Sequence, residues 1–358
     1  MREGWEYKNY QWNEVLTIIN GKNQSAVVSA EGKYPIYGSG GIMGFANEYL
    51  CPENCVIIGR KGNINKPIYV TDKFWNVDTA FGLYADSTLL LPKYLYYFCL
   101  EYNFEKHNKT VTIPSLTKVD LLKINISLPS VEHQRLIASE LDMITEMISK
   151  YDEQLKELDK LSQSIFYEMF GDPVENEKGW EVKIISDVST YFNGVAHEQD
   201  IDDDGEYTLI NSKFISTNGK VQKRTNKQRF PLLKNDLTMV LSDVPNGKAL
   251  AKCYLVNEDN KYSLNQRICC FRGYEGAPLF FKYVVNRHQY FLSFNDGKGQ
   301  TNLRKGDVEK MPIILPPLPL QQSFARKIEA IEAMKSKVRE AKKEAETLLA
   351  ARMQYWFE

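Results

Sequence analysis

At 358 residues the chain is longer than one hydrophobic core usually organises, so at least two domains are expected, and a hydrophobic fraction of 43% is enough to fill both. No apolar run approaches the roughly 20 residues that span a bilayer, and the opening MREGWEYKNY lacks the apolar stretch of a signal peptide, so a cytoplasmic protein with no membrane partner is expected. The net charge of −1 excludes a uniformly basic nucleic-acid binder but leaves room for a local basic patch.

From the N-terminus, a Gly4-Trp5 opening leads into a stretch rich in strand-forming residues. The glycines of GSGGIMG, from Gly38, lack the flanking strand, helix and distal acid of a dinucleotide fingerprint and read as tight turns. CVIIGR from Cys55 and KPIYVT from Lys66 read as strands. Between them a loop presents Arg60, Lys61, Asn63, Asn65 and Lys66. Arginine and asparagine fit guanine and adenine edges, whereas lysine suits phosphates. PKYLYYFCLEYN from Pro92 reads as a short helix, and EKHNKTVT from Glu105 as a second polar loop, with Lys109.

From Glu132 to Phe170 no Gly or Pro intervenes, and Leu141, Ile144, Ile148, Tyr151, Leu155, Leu158, Ser162 and Ile165 alternate steps of three and four, the spacing of a coiled-coil seam. Gly171 and Asp172-Pro173 stop this helix. At about 1.5 Å per residue it is roughly 58 Å long, far more than one small domain needs, so it requires a partner along its length.

A second Gly-Trp opening, Gly179-Trp180, precedes the acidic run HEQDIDDDGE, which is followed by a basic stretch containing Lys213, Lys220, Lys223, Arg224, Lys227, Arg229 and Lys234. This stretch is either a basic face for phosphates or an ordinary solvated loop. LTMVLS from Leu237 and AKCYLV from Ala251 read as strands enclosing the loop DVPNGKA, with Asn246 and Lys248. PLFFKYVVNRH from Pro278 reads as a short helix, and NDGKGQTN from Asn295 as another polar loop, with Lys298 and Gln300. The final helix, Leu320 to Phe357, carries Phe324, Ile328, Ile331, Met334, Val338, Ala341, Ala345 and Leu348 as its candidate seam. The expected packing is antiparallel, seam to seam, as a rod that holds the two globular halves apart.

A constant shift of 187 residues lays SLTKVDLLKINISLPSVEHQRLIASELDMI from Ser115 onto NLRKGDVEKMPIILPPLPLQQSFARKIEAI from Asn302, pairing Leu128 with Leu315, Pro129 with Pro316 and Gln134 with Gln321. The chain is a duplicated unit of α+β character: two mixed domains at 1–131 and 172–318, with long helices at 132–171 and 319–358.

The sequence offers no catalytic kit. It lacks the [DNS]PP[YFW] tetrapeptide of amino-methyl transfer and a Walker A loop. An Asp172…Glu181-Val-Lys nuclease pattern falls on the turn that stops the helix. The four histidines have no metal-ligand spacing, and His197 sits beside an acidic turn better read as hydrated than as a cation site. The six cysteines lack paired spacing and read as reduced structural residues. A stand-alone nuclease or methyltransferase and a coiled-coil assembly protein remain alternatives.

The Gly-Trp openings, IGRKGNI at Ile58, LPSVEHQRLIASEL at Leu128, SIFYEMFGDP at Ser164 and LPPLPLQQSFARKI at Leu315 together resemble the specificity subunits of type I restriction-modification systems, over nearly the whole chain. That resemblance implies two target-recognition domains, each reading half of an asymmetric bipartite site on double-stranded DNA. It also implies helices that set the spacer and dock two modification (methyltransferase) subunits. S-adenosylmethionine and ATP with magnesium would then sit on partner subunits, including a restriction/translocase subunit, and this chain would hold no metal or cofactor and catalyse nothing. Related systems outside type I use a similar subunit.

Overall fold

A computed structural model of the chain describes residues 4–108, 113–245 and 247–358. The chain divides into two compact units, Met1–Glu153 with Val338–Glu358, and Gln154–Lys337. Among the described residues no helix is long and apolar enough to cross a membrane.

The first unit runs β1 (Lys8–Gln11), α1 (Trp12–Val15), β2 (Leu16–Asn20), β3 (Tyr34–Gly38), β4 (Gly41–Ala46), β5 (Cys55–Gly59), β6 (Ile68–Val70), β7 (Trp75–Asn76), β8 (Ala80–Ala85), α2 (Pro92–Glu101), α3 (Lys118–Leu121), β9 (Asn125–Leu128) and the start of α4 (Val131–Phe170). After α4 come β10 (Glu181–Ile184), α5 (Ile185–Val188), β11 (Thr190–Asn193), β12 (Tyr207–Ile210), α6 (Ser212–Ser216), β13 (Arg224–Thr225), β14 (Leu237–Val240), β15 (Ser242–Asp243) and β16 (Cys253–Leu255). The chain ends with β17 (Tyr262–Leu264), β18 (Ile268–Arg272), α7 (Pro278–Val285), α8 (Gln289–Leu292), β19 (Thr301–Asn302), α9 (Lys305–Glu309), β20 (Pro312–Leu315) and α10 (Leu318–Phe357).

The duplication, legible in sequence only at the unit edges, extends through the dissimilar stretches. In the first unit the sheets run β2-β8-β5-β6, β4-β3-β7 and β1-β9; in the second they run β11-β18-β14-β16, β13-β12-β17 and β10-β20. In both, one pair, β3 with β7 and β12 with β17, is parallel among otherwise antiparallel neighbours. The central strands β5 and β14 are buried along their whole length, as uninterrupted apolar runs require. Each packs into a core that includes the helix behind the sheet, with Tyr94, Leu95 and Tyr97 in one unit and Phe280, Phe281 and Val284 in the other.

The glutamine shared by the repeats is a buried clamp. Gln134 accepts from the Leu91 amide at 2.9 Å and donates to the Leu89 and Pro129 carbonyls at 2.8 and 3.0 Å, tying the start of α2 to the end of β9. Gln321 accepts from the Ala277 amide at 3.1 Å and donates to the Pro316 carbonyl at 2.8 Å, doing the same for α7 and β20.

The long helices run antiparallel within each unit. In the first, Glu140 pairs with Arg352 at 2.5 Å and Asp152 with Lys342 at 2.6 Å; in the second, Asp159 pairs with Lys335 at 2.7 Å. Leu141, Ile144, Ile328, Ile331 and Ala345 are buried, and Ile148, Tyr151, Leu155, Leu158 and Val338 half-buried. The seam of α10 needs correction, because Met334 and Leu348 are 54% and 49% exposed. The four-three alternation from Phe324 through Ile328 and Ile331 continues to Lys335, Val338, Lys342, Ala345 and Leu349. A choice made on hydrophobicity slips off this register by one residue at Met334 and Leu348, where the seam is cationic or adjoins a second Leu. Gly171 ends α4 at φ +75°, a conformation that glycine adopts freely.

A candidate nucleic-acid interface

In the second unit the polar loops paired on sequence grounds meet in space, in the first the Arg60–Lys66 loop meets the residues that follow EKHNKTVT, and each unit adds a segment that the sequence pattern does not mark. In the first unit β5 exits at Arg60. The Arg60 amide donates to the Thr79 carbonyl at 2.8 Å, and its carbonyl accepts from the Leu116 amide at 2.9 Å. Lys61 bridges Ser115, and the Gly62 amide donates to the Pro114 carbonyl at 3.0 Å. The segments Arg60–Lys66, Asn76–Thr79 and Ile113–Ser115 therefore form one edge. Gly59 permits this return, since a Cβ there would lie 2.4 Å from the Asn63 carbonyl oxygen.

The second unit repeats the construction. The Leu241 amide donates to the Arg267 carbonyl at 2.9 Å, and the Leu241 carbonyl accepts from the Leu303 amide at 2.8 Å. β15 and β19 pair Ser242 with Asn302 and Asp243 with Thr301, where Lys61 pairs with Ser115 in the first unit. The missed element is the three-residue turn entering β8 or β18, Val77–Thr79 in one unit and Asn265–Arg267 in the other. Its only sequence signal is a short link between two apolar strands.

The individual candidates differ in their freedom. Lys61, Asn63 and Lys66 are exposed. The Arg60 guanidinium donates to the Asp78 carbonyl at 3.4 Å and lies 5.8 Å from the centre of the Phe81 ring. Asn65 is occupied in loop closure, accepting from the Phe104 amide at 2.8 Å and donating to Asn103 at 3.3 Å. In the second unit Lys213, Lys220, Lys223, Lys248, Lys298 and Gln300 are exposed. Lys109 and Asn246 lie outside the described residues. The loop after β15 folds around the Asp243 carboxylate, which accepts from the Ala249 and Leu250 amides at 2.6 and 3.1 Å.

The acidic and basic runs of the second unit fold onto each other. Lys227 lies 3.2 Å from the buried carboxylate of Asp200, and Arg229 also donates to it. The Arg229 hydrogen bond, with help from Lys227, holds the Asp200 carboxyl below the usual carboxylate range. Arg224 donates to the Gly205 and Glu206 carbonyls at 2.7 and 3.3 Å. Arg224, Lys227 and Arg229 thus neutralise or cap the acidic turn, which leaves Lys213, Lys220, Lys223 and Lys234 as the open charges of this run.

His197 is buried, with Nδ1 2.6 Å from the Val195 carbonyl and Nε2 2.8 Å from the Ser263 hydroxyl, so both nitrogens are engaged in packing the fold. Among the described residues no group of three or more His, Cys, Asp or Glu side chains is placed to hold a metal ion. All six cysteines are buried and unpaired, and burial pushes the thiols of Cys99, Cys253 and Cys269 up, away from the reactive thiolate form.

A doubled α+β unit, each copy presenting a polar three-loop edge beside buried central strands and contributing halves of two long helices, defines a duplicated recognition protein. The type I restriction modification DNA specificity domain matches residues 3–159 and 177–346, and the chain belongs to that family. Over 159 residues it is 23% identical to the type I restriction enzyme EcoDI specificity subunit of Escherichia coli, a match taking in 44% of this chain and 35% of that protein. Over 297 residues it is 23% identical to the type I restriction enzyme MjaIX specificity subunit of Methanocaldococcus jannaschii, covering 75% of this chain and 67% of that one. The chain thus spans about a third of the first relative's length and two thirds of the second's. Its fold is similar to the crystal structure of the type I restriction-modification S subunit from M. genitalium, with TM-score 0.61 and 11% identity over 99% of this chain and 96% of that one. A structure described under complex assembly and conformational transition of the type I R-M system matches with TM-score 0.61 and 13% identity, over 100% and 99% of the two chains.

Proposed function

We propose that the chain reads double-stranded DNA as the non-catalytic specificity subunit of a type I restriction-modification complex, each unit recognising one half of an asymmetric bipartite site. The carrying observation is the pair of topologically matched three-loop edges built from unlike residues, Arg60–Lys66 against Ser242–Lys248 and Val77–Thr79 against Asn265–Arg267. Like scaffolds with unlike loops suit two different half-sites. The two 40-residue helices set the unread spacer and dock two methyltransferase subunits. S-adenosylmethionine, and ATP with magnesium, belong on those partners and on a restriction/translocase subunit.

Methylome mapping in a host carrying this chain and its methyltransferase is the test. The expected result is a bipartite asymmetric motif; a continuous palindrome, or no motif, overturns the proposal. Removing one heptad from both helices is expected to change the spacer and leave the half-sites intact. Methyl transfer or DNA cleavage by the purified chain alone would establish the enzymatic alternative.

A further inference from the structure

The arginines of the second unit's globular part are Arg224, Arg229, Arg267, Arg272, Arg287 and Arg304. Arg224 caps carbonyls, Arg229 pairs with Asp200, Arg272 pairs with buried Asp236 at 2.6 Å, and Arg287 donates to the Lys248 carbonyl at 2.7 Å. Arg267 is different. It is exposed, and among the described residues its guanidinium makes no hydrogen bond, ion pair or ring contact; Arg304 shares that exposure and freedom, but it stands at an ordinary φ of −88° as the N-cap of α9.

Its backbone, in contrast, is firmly held. The Arg267 carbonyl accepts from Leu241, the residue leading into the Ser242–Lys248 loop. Within the same turn, the Asn265 amide donates to the Ile210 carbonyl at 3.1 Å, and Gln266 donates to Glu198. Arg267 itself stands at φ +66°, a left-handed conformation unusual for a long side chain. Arg287 shares that conformation at φ +54°, but there the guanidinium is used within the fold. At Arg267 the turn spends backbone strain on a side chain with no internal partner, at the meeting point of the three loops. Thr79 occupies the matching place in the first unit, its carbonyl accepting from Arg60 as that of Arg267 accepts from Leu241.

We infer that Arg267 is a specificity-determining residue, its forked donors reading the O6 and N7 acceptors of a guanine in the half-site taken by the second unit. This inference rests on the DNA-reading proposal. A rigid turn with a free guanidinium suits bidentate reading of a base edge, because the backbone fixes where the fork starts while the side chain owes nothing to the fold.

The test is methylome mapping with the full chain and its methyltransferase, comparing the unaltered protein with Arg267→Gly and Arg267→Lys. Glycine is at ease at φ +66°, so Arg267→Gly is expected to match or exceed the parent melting temperature. It is also expected to relax a single G·C position in one half-site, discrimination there falling on the order of 10- to 100-fold, with the other half-site unchanged. Arg267→Lys keeps the charge but loses the fork, and is expected to relax the same position. Four results overturn the inference: an unchanged motif in Arg267→Gly; a uniform drop in methylation without relaxation, which marks a phosphate contact; full specificity in Arg267→Lys; or a lowered melting temperature in Arg267→Gly, which marks a structural role. If the unaltered protein yields no bipartite motif, the DNA-reading proposal itself fails and this inference falls with it.

Discussion

Lys335, its side chain 4% exposed at the helix seam, sets its ammonium 2.7 Å from the Asp159 carboxylate on the facing helix and 2.7 Å from Glu332 on its own. Burial works against the charge, but the bonds to Asp159 and Glu332 outweigh it and hold the lysine above its ordinary value. Both carboxylates are open to water, at 69% and 48% exposed, so removing the lysine strands no buried charge. We therefore expect Lys335→Met, which keeps the apolar stem, to lie within about 1 kcal/mol of the parent or to be more stable, as when buried ion pairs give way to hydrophobic side chains. Lys335→Ala should cost roughly 1–2 kcal/mol through lost packing. Urea unfolding of the full chain measures both, and a Lys335→Met loss above roughly 3 kcal/mol would show that the ion pair itself stabilises the seam.

The paired clamps predict matched penalties. Gln134→Leu leaves the buried Leu91 amide and the Leu89 and Pro129 carbonyls without their partner. Gln321→Leu strands the Ala277 amide, the Tyr274 hydroxyl and the Pro316 carbonyl. Each substitution should cost about 2–4 kcal/mol, since a desolvated polar group left unpaired loses its full solvation. Hydrogen exchange should show the Leu91 amide deprotected in one variant and the Ala277 amide in the other, each unit responding to its own glutamine. Equal loss of protection in both units from one substitution would refute this local account.

Several of these features were legible in the sequence because they are local. The absence of Gly and Pro between Glu132 and Phe170 marks a helix, and the 187-residue shift aligns the residues that build β9 with β20 and the two clamps. The loops Arg60–Lys66 and Ser242–Lys248 were recognisable as matched turns after buried strands. What stayed hidden depends on contacts distant in sequence. The pairing of Asp200 with Lys227 and Arg229 joins two runs that look independently charged, so a basic patch seen in sequence is partly neutralised in the fold. The Asn265–Arg267 turn matters only because Leu241 bonds to it. The cationic seam at Lys335 and Lys342 was missed because a hydrophobicity pattern gives no weight to a lysine whose partner lies on the other helix.

This mutual neutralisation separates two kinds of lysine and arginine in the second unit. Arg229→Ala leaves Asp200, with its side chain 4% exposed, to Lys227 alone, and should lower the unit's stability more than the loss of an exposed lysine does. Lys223→Ala removes an exposed charge and should leave stability within about 0.5 kcal/mol. On DNA the order should reverse: Lys223→Ala should reduce the slope of log affinity against log salt by up to about one unit, and Arg229→Ala should change it less. A larger change in salt slope for Arg229→Ala would mean that Arg229 leaves Asp200 to contact phosphate.

His288 gives the second unit an acid limb of its own. Its Nδ1 accepts from the Tyr290 amide at 3.2 Å as the N-cap of α8, which puts the proton on Nε2, and Nε2 is buried without a hydrogen-bond partner. Burial pulls the imidazole below its ordinary value of 6.5, and Asp172 offsets this only in part. Below about pH 6.5 the unfolded chain therefore takes up a proton that the folded chain refuses, and stability falls with decreasing pH by up to about 1.4 kcal/mol per pH unit until the folded histidine also titrates. The depressed carboxyl of Asp200 acts in a lower window: its contribution is complete above the ordinary carboxylate range near pH 4 and is lost as pH falls through its folded value. Between roughly pH 6.5 and pH 5 the histidine limb should thus stand apart. His288→Asn retains an acceptor suited to the N-cap and removes the titration, so its unfolding free energy should be flatter across that interval than the parent's. Parallel slopes for the two proteins would show that His288 accepts its proton in the folded state, by giving up the Tyr290 cap.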